Sequence, residues 1–265
     1  MTEDQGAFKE RVLITGATGG LGRALAARYA QRGAVLSLSG RNSREMEKTL
    51  ELCSVRGAEA RSALFDLRDR GELAAWIRGE DEFRPLDVVF ANAGIVCGAG
   101  PDGLEDPDES RGVIEVNLSL AILTALEAAK LMLPRGRGRI VFISSLAAKV
   151  PLVNTPSYCA SKAALKVYGL SLRESLAPRG IGVTVVCPGY IRSPMKERFQ
   201  GFAPFAWEPG KAAERVIKKI QKNPAVVSFP LVMNVLSGAY ALLPGFLKTP
   251  LNRKFSFKVG GKTPL

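Results

Sequence analysis

Apolar and polar positions along this chain fall into repeating blocks. Short apolar runs stop at glycine, asparagine or serine, and each is followed by a stretch with helical spacing. Residues 12–14, Val-Leu-Ile, predict a buried strand that ends at a glycine-rich turn, and helical spacing follows through Leu25, Ala26, Tyr29 and Ala30. Further strands are predicted over 35–39, 63–65, 86–91, 140–143, 181–187 and 226–229. Between them lie a polar helix over 44–56, a helix over 72–78, a long apolar helix over 113–133 broken by the polar Asn117, and a helix running on to 176. Trp76 fits the core side of its helix. Residues 97–110, rich in Gly, Pro and Asp, read as a loop. Strands alternating with helices predict one α/β domain over 1–265, a doubly wound parallel sheet of about seven strands with helices on both faces. In such a sheet ligands gather beyond the carboxyl ends of the strands, where the glycine turn, Asn92, Ser145 and Pro188-Gly189 all fall.

Composition narrows the chemistry. The 265 residues are 46% hydrophobic and 23% charged, as in a globular protein, and contain no histidine. That excludes a Ser-His-Asp triad, Cys-His nucleophiles and His-built zinc sites, so proton transfer falls to Tyr, Lys, Asp, Glu or Cys. Cys53, Cys97, Cys159 and Cys187 form no C-x-x-C pair, so no metal site is expected and the thiols read as free and unreactive. The formal charge is +12, but basic residues are not interleaved with aromatics, and no nucleic-acid partner is expected. Residues 1–10 form a polar tail without a signal-type apolar core, which predicts a cytoplasmic protein.

Two stretches carry candidate chemistry. Thr15-Gly16-Ala17-Thr18-Gly19-Gly20-Leu21-Gly22 lies between a strand and a helix, where unpaired N–H groups and close backbone approach suit a pyrophosphate. About 20 residues on, where an acid would hold the ribose 2′-hydroxyl of NAD, the chain reads Ser39-Gly40-Arg41-Asn42. An arginine there can form paired hydrogen bonds to a 2′-phosphate, so NADP(H) is expected over NAD(H). In Tyr158-Cys159-Ala160-Ser161-Lys162, helical spacing puts Lys162 one turn from Tyr158, and a nearby ammonium would make the phenol easier to deprotonate.

Together these residues resemble the short-chain dehydrogenase/reductase superfamily, over roughly residues 9–194. The family's T-G-x-x-x-G-x-G turn is matched by Thr15, Gly16, Gly20 and Gly22, with Thr18 and Leu21 inside it, and its N-A-G segment by Asn92, Ala93 and Gly94. The resemblance implies a Rossmann-like fold, with Asp66 and Leu67 beside the adenine. It implies catalytic roles for Asn117, Ser145, Tyr158 and Lys162, Ser145 rather than Ser144 because the family's serine lies thirteen positions before its tyrosine. It further implies cofactor contacts at Pro188, Gly189, Ile191 and Ser193, Ile191 through its backbone to the nicotinamide. Ser193 stands where Thr is usual, Ala91 where Asn is common, and Gly19 where many NADP-dependent members carry a basic residue. In the mechanism so implied, Tyr158 exchanges a proton with the carbonyl or alcohol oxygen, Lys162 lowers its pKa and holds the ribose, Ser145 bonds the same oxygen, and Asn117 holds a water. A homodimer or homotetramer is implied as well.

The C-terminal third is expected to shape the substrate site. Residues 195–222 read as a lid whose first part carries Phe199, Phe202, Phe205 and Trp207 over an apolar substrate. Residues 226–265 read as the last strand, a helix over 231–243 that is apolar on nearly every face, and a basic tail with Lys248, Arg253, Lys254, Lys258 and Lys262. Such a helix needs a cover, which a partner subunit, a greasy substrate or peripheral contact with a membrane would supply. The expected activity is reduction of a carbonyl, or oxidation of a secondary alcohol, on an apolar or lipid-like small molecule. Alternatives are a sugar or surface-polysaccharide precursor as substrate, or a catalytically silent dinucleotide-binding regulator.

Overall fold

A computed structural model describes residues 9–200, 203–248 and 258–260. Seven strands form one parallel sheet: β1 (Arg11–Ile14), β2 (Val35–Gly40), β3 (Ala60–Leu64), β4 (Val88–Ala91), β5 (Gly138–Ile143), β6 (Ile181–Pro188) and β8 (Val226–Phe229), in the order β3-β2-β1-β4-β5-β6-β8. Between them run α1 (Gly20–Ala30), α2 (Ser43–Ser54), α3 (Arg70–Phe83), α4 (Pro107–Ile114), α5 (Leu120–Met132), α6 (Pro156–Leu176), the one-turn α7 (Pro194–Glu197) and α8 (Pro209–Ile220). The last helix, α9 (Leu231–Leu242), follows β8.

Both faces of the sheet are buried because successive strand residues point to opposite sides and both sides are apolar. Val12 and Ile14 join Val88, Phe90, Val141 and Val186 under α1 and α8, whereas Leu13 joins Val89, Ile140, Phe142 and Val185 under α3, α5 and α6. Chain order reverses between β1 and β4, so a crevice opens above their carboxyl ends. The core elements were predicted at nearly these positions. The third strand is displaced: it spans Ala60–Leu64 rather than 63–65, because this edge strand is largely exposed and carries no apolar run. Asp106 caps a helix starting at Pro107, inside the expected loop. Trp76 packs edge-on against Phe65 in the core, as expected.

Two features correct the reading of the C-terminal third. The second half of the expected lid is not a lid: Ala212, Ala213, Val216, Ile217 and Ile220 of α8 are buried against the sheet beside α1. Trp207 also belongs to the core, stacked on Phe229 at 4.9 Å. The distant basic end folds back. Lys258–Val259 (β9) pairs antiparallel with Phe199–Gln200 (β7), and Arg198 donates from Nε to Gly260 O (3.0 Å) and from Nη1 to Val96 O (2.8 Å). Phe202, Arg253, Lys254, Lys262 and the tail before residue 9 lie outside the described residues.

Candidate active site

The glycine turn is fixed by hydrogen bonds from the end of β4. The Thr15 hydroxyl donates to Phe90 O (3.2 Å) and accepts from the N–H groups of Asn92 (3.0 Å) and Ala93 (3.2 Å). Asn92 Nδ2 donates back to Thr15 O (2.9 Å) and Gly16 O (3.1 Å). Gly16 has φ +67°, and a Cβ on it would sit 2.8 Å from Ala93 Cα. A Cβ on Gly22 would run into Gly16 O, and one on Gly20 would lie 2.6 Å from Ser193 Cβ. The turn is therefore pressed against 92–94 on one side and Ser193 on the other. Helix α1 begins at Gly20 with no side-chain cap and no acid in its first turn, so its N–H groups remain for an anion. This cradle fits the pyrophosphate of a dinucleotide. Sequence reasoning missed Arg23, which braces the turn from behind through Thr18 O (3.1 Å), Thr49 and Glu45.

Thr18 packs over Gly40, where a Cβ would be 2.6 Å from Thr18 Cγ2, and Ala17 N donates to Ser39 O (2.9 Å). This brings the turn to the end of β2. Arg41 follows, with Nη1 3.7 Å from Asp66 Oδ2. Arg68, which sequence reasoning missed, grips Asp66 at 2.5 Å; these hydrogen bonds hold the Asp66 carboxyl down at about 2. Asp66 is thus a permanent anion that aims Arg41. Leu67 lies against the neighbouring core, as Leu21 does on the α1 side.

Ser145 leaves β5 and caps a single 3-10 turn, Leu146–Ala148, accepting from Ala147 N (3.1 Å) and lying 3.5 Å from Pro188 O. Its hydroxyl neighbours the Tyr158 phenol closely enough to lower that group's pKa. Ser144 instead donates to Lys162 O (2.7 Å), a purely structural bond, which leaves the Ser145 hydroxyl as the one beside Tyr158. Lys162 is 4% exposed, donates from Nζ to Ile143 O (2.9 Å), and lies 5.7 Å from the centre of the Tyr158 ring. Asn117 sits on a π-helical turn, Glu115–Ser119, that rotates it inward between α4 and α5. Its Oδ1 accepts from Ile95 N (2.8 Å), and Nδ2 donates to Ile95 O (2.9 Å) and Ser161 Oγ (3.2 Å). The side chain thus positions the loop after β4. A Cβ on Gly94 would lie 3.1 Å from Asn117 Oδ1 and 3.3 Å from Lys162 Nζ, so Gly94 lets these two groups converge.

The electrostatics run opposite to expectation. Burial pushes the Tyr158 phenol up to about 12, partly offset by the neighbouring Ser145 hydroxyl, and burial pushes Lys162 down to about 8. In the protein alone desolvation outweighs any help from the ammonium, because Lys162 is buried and Tyr158 half-buried beside it. The thiols are inert by the same cause: burial raises Cys53 and Cys97 to about 11 and raises Cys159 and Cys187.

The segment after β6 closes the site. Gly189 N donates to Phe229 O (2.7 Å). Trp207 N donates to Tyr190 O and Arg192 N to Trp207 O, both 2.9 Å, so the backbone polar groups of Ile191 face away from Trp207. Ser193 donates to Ile191 O (3.3 Å) and caps α7 through Lys196 N (3.2 Å). Every site residue predicted from the sequence thus lies along the carboxyl edge of the sheet or on the helix beginning there.

Residues 10–201 match the model of the short chain dehydrogenase family. The chain is a short-chain dehydrogenase. It is 33% identical over 234 residues to an uncharacterized oxidoreductase of Myxococcus xanthus, covering 88% of this chain and 92% of that one. It is 35% identical over 185 residues to the ketoacyl reductase HetN of Nostoc sp., covering 68% and 63%. Among solved structures it is similar to an actinorhodin polyketide ketoreductase with NADPH, at 27% identity and TM-score 0.77, over 85% of this chain and 97% of that one. As a short-chain dehydrogenase it is an NAD(P)-dependent oxidoreductase.

Proposed function

We propose that this dehydrogenase interconverts a ketone and a secondary alcohol with NADP(H), on an apolar, lipid-like substrate. The observation carrying the reading is the grouping of Ser145, Tyr158 and Lys162 on the same sheet edge as the glycine turn, with Lys162 Nζ 5.7 Å from the Tyr158 ring centre. When bound, the nicotinamide supplies or removes the hydride. In the reducing direction Tyr158 donates its proton to the carbonyl oxygen, and Ser145 donates a hydrogen bond to that oxygen as charge develops on it. Lys162 and Asn117 hold the approach from below, and Ile191 and Ser193 hold the carboxamide side. A ketoacyl reductase and a polyketide ketoreductase among the similar proteins favour a carbonyl on an extended chain. NADPH consumption over ketones of graded chain length tests this. A rate that climbs with chain length supports it, and turnover confined to sugars would replace the substrate class.

The NADP(H) preference rests on Arg41 at the end of β2, where no acid stands. Removing a charge-assisted hydrogen bond costs about 1.5–3 kcal/mol. Arg41→Ala should therefore raise the KM for NADPH roughly 10- to 100-fold and leave that for NADH unchanged. Equal losses with both cofactors would remove the assignment.

The lid in this reading is the β7–β9 ladder. A Cβ on Gly98 would collide with Val259 Cβ, so Gly98→Val should displace β9 from the loop after β4. A raised KM for apolar ketones, with the KM for NADPH unchanged, is expected in steady-state kinetics. Unchanged ketone KM would mean that this ladder does not border the substrate.

A further inference from the structure

Helix α9 is inverted relative to a globular-protein helix. Its inward side carries Asn234, Ser237 and Tyr240, with Met233; Lys149 Nζ donates to Asn234 Oδ1 (2.7 Å) and the Ser237 hydroxyl to Asn234 O (2.9 Å). Its outward side carries Leu231, Val232, Val235, Leu236 and Leu242, each more than half exposed, and the exposed Phe246 and Leu247 extend the patch. A helix of a soluble domain normally turns its polar stripe outward, and a contiguous apolar patch of this kind marks a docking surface.

The charge of the surrounding chain identifies what docks there. From residue 223 to the C-terminus, the stretch that contains α9, the sequence has five Lys or Arg and no Asp or Glu. Lys149 and Lys248 flank α9 directly, the latter lying 5.6 Å from the centre of the Tyr240 ring. A second copy of the chain would bring the same acid-free segment against itself, with no opposite charge to meet it. An anionic bilayer offers both complements, an apolar interior for the leucines and negative headgroups for the lysines. Twelve residues are too few to cross a bilayer, which takes about 20, so the helix would lie in the interface. The longer apolar stretch Pro107–Arg135 is packed against the sheet and is not available for this.

We infer that the outward face of α9, with its flanking lysines, seats this dehydrogenase on the surface of an anionic membrane. The hydrogen bond from Lys149, four residues after the catalytic serine, ties the docked helix to the rim of the active site. The docking stands independently of the substrate assigned above.

The test is flotation of the full-length protein with vesicles of phosphatidylcholine alone or mixed with phosphatidylglycerol, at low and high salt. Binding to the mixed vesicles only, weakened by salt, is expected. The double variant Val232→Glu, Leu236→Glu should lose at least about tenfold in binding, since each buried carboxylate opposes insertion. It should keep its melting temperature and its turnover of a water-soluble ketone; a ketone panel inactive for both proteins would count against the proposed activity and not against docking. No flotation with anionic vesicles at low salt, or flotation indifferent to the double variant, overturns the inference. So does a dimer that the variant dissociates without any vesicle binding, which would make a second copy the cover.

Discussion

Tyr158→Phe should lower kcat by about 100-fold or more, the usual scale for losing acid–base help, while NADPH binding measured by equilibrium titration stays unchanged. The substitution removes one oxygen and keeps the ring in place. Its structural cost is small, because Ser145, the neighbour of that hydroxyl, keeps its own bonds to Ala147 N and Pro188 O. The chemical cost is large, because the group that hands its proton to the carbonyl oxygen is gone from that position, and the chain has no histidine to take over the transfer. A phenol pushed up to about 12 is a competent acid and a poor base. Reduction should therefore tolerate neutral pH, whereas alcohol oxidation should need the positive charge of the oxidised nicotinamide, or raised pH, to release the phenolic proton. A Phe variant that reduces ketones at near the parent rate would dismiss Tyr158 as the acid.

How the sequence disclosed this site follows from how local each signal is. The glycines, Asn92 and the Tyr158–Lys162 pair were legible because their constraint lies within a few residues: a left-handed φ at Gly16, close approach at Gly22, one helical turn between phenol and amine. Ser145 needed the resemblance to be separated from Ser144, and the geometry separates them by the Ser144 bond to Lys162 O. What was not legible depends on distant packing. Strand β3 gave no apolar run because it lies at the edge. The β7–β9 ladder joins two residues to two others nearly sixty positions away, and no periodicity announces such a pair. All of α8 falls inside the expected lid, but its alanines, valine and isoleucines fill the groove beside α1. The pKa directions were the deepest miss. Spacing showed that Tyr158 and Lys162 are neighbours, but not that both are desolvated, and desolvation fixes the sign.

That sign makes Lys162 the second site of large effect, because the same burial sets function against stability. Lys162 is pushed down to about 8, against an ordinary lysine at 10.4 in the unfolded chain. Below pH 8 the amine is charged in both states, and the folded state bears the full cost of keeping that charge out of water, on the order of 3 kcal/mol. Between pH 8 and 10.4 the unfolded chain binds the extra proton, so stability attributable to this group rises with pH across that window. Lys162→Met keeps the length of the side chain and removes the charge, at the loss of one hydrogen bond to Ile143 O worth about 1 kcal/mol. The variant should thus melt a few degrees higher than the parent at pH 7, at roughly 2–4 °C per kcal/mol for a domain of this size. The advantage should shrink as the pH is raised above 8. Turnover should fall by about 100-fold or more, since the amine beneath Tyr158 and beside Asn117 is lost. Thermal melts of both proteins from pH 6 to pH 10 decide the matter: a variant less stable than the parent at every pH would show that Ile143 O and the packing around Gly94, not the buried charge, dominate at this position.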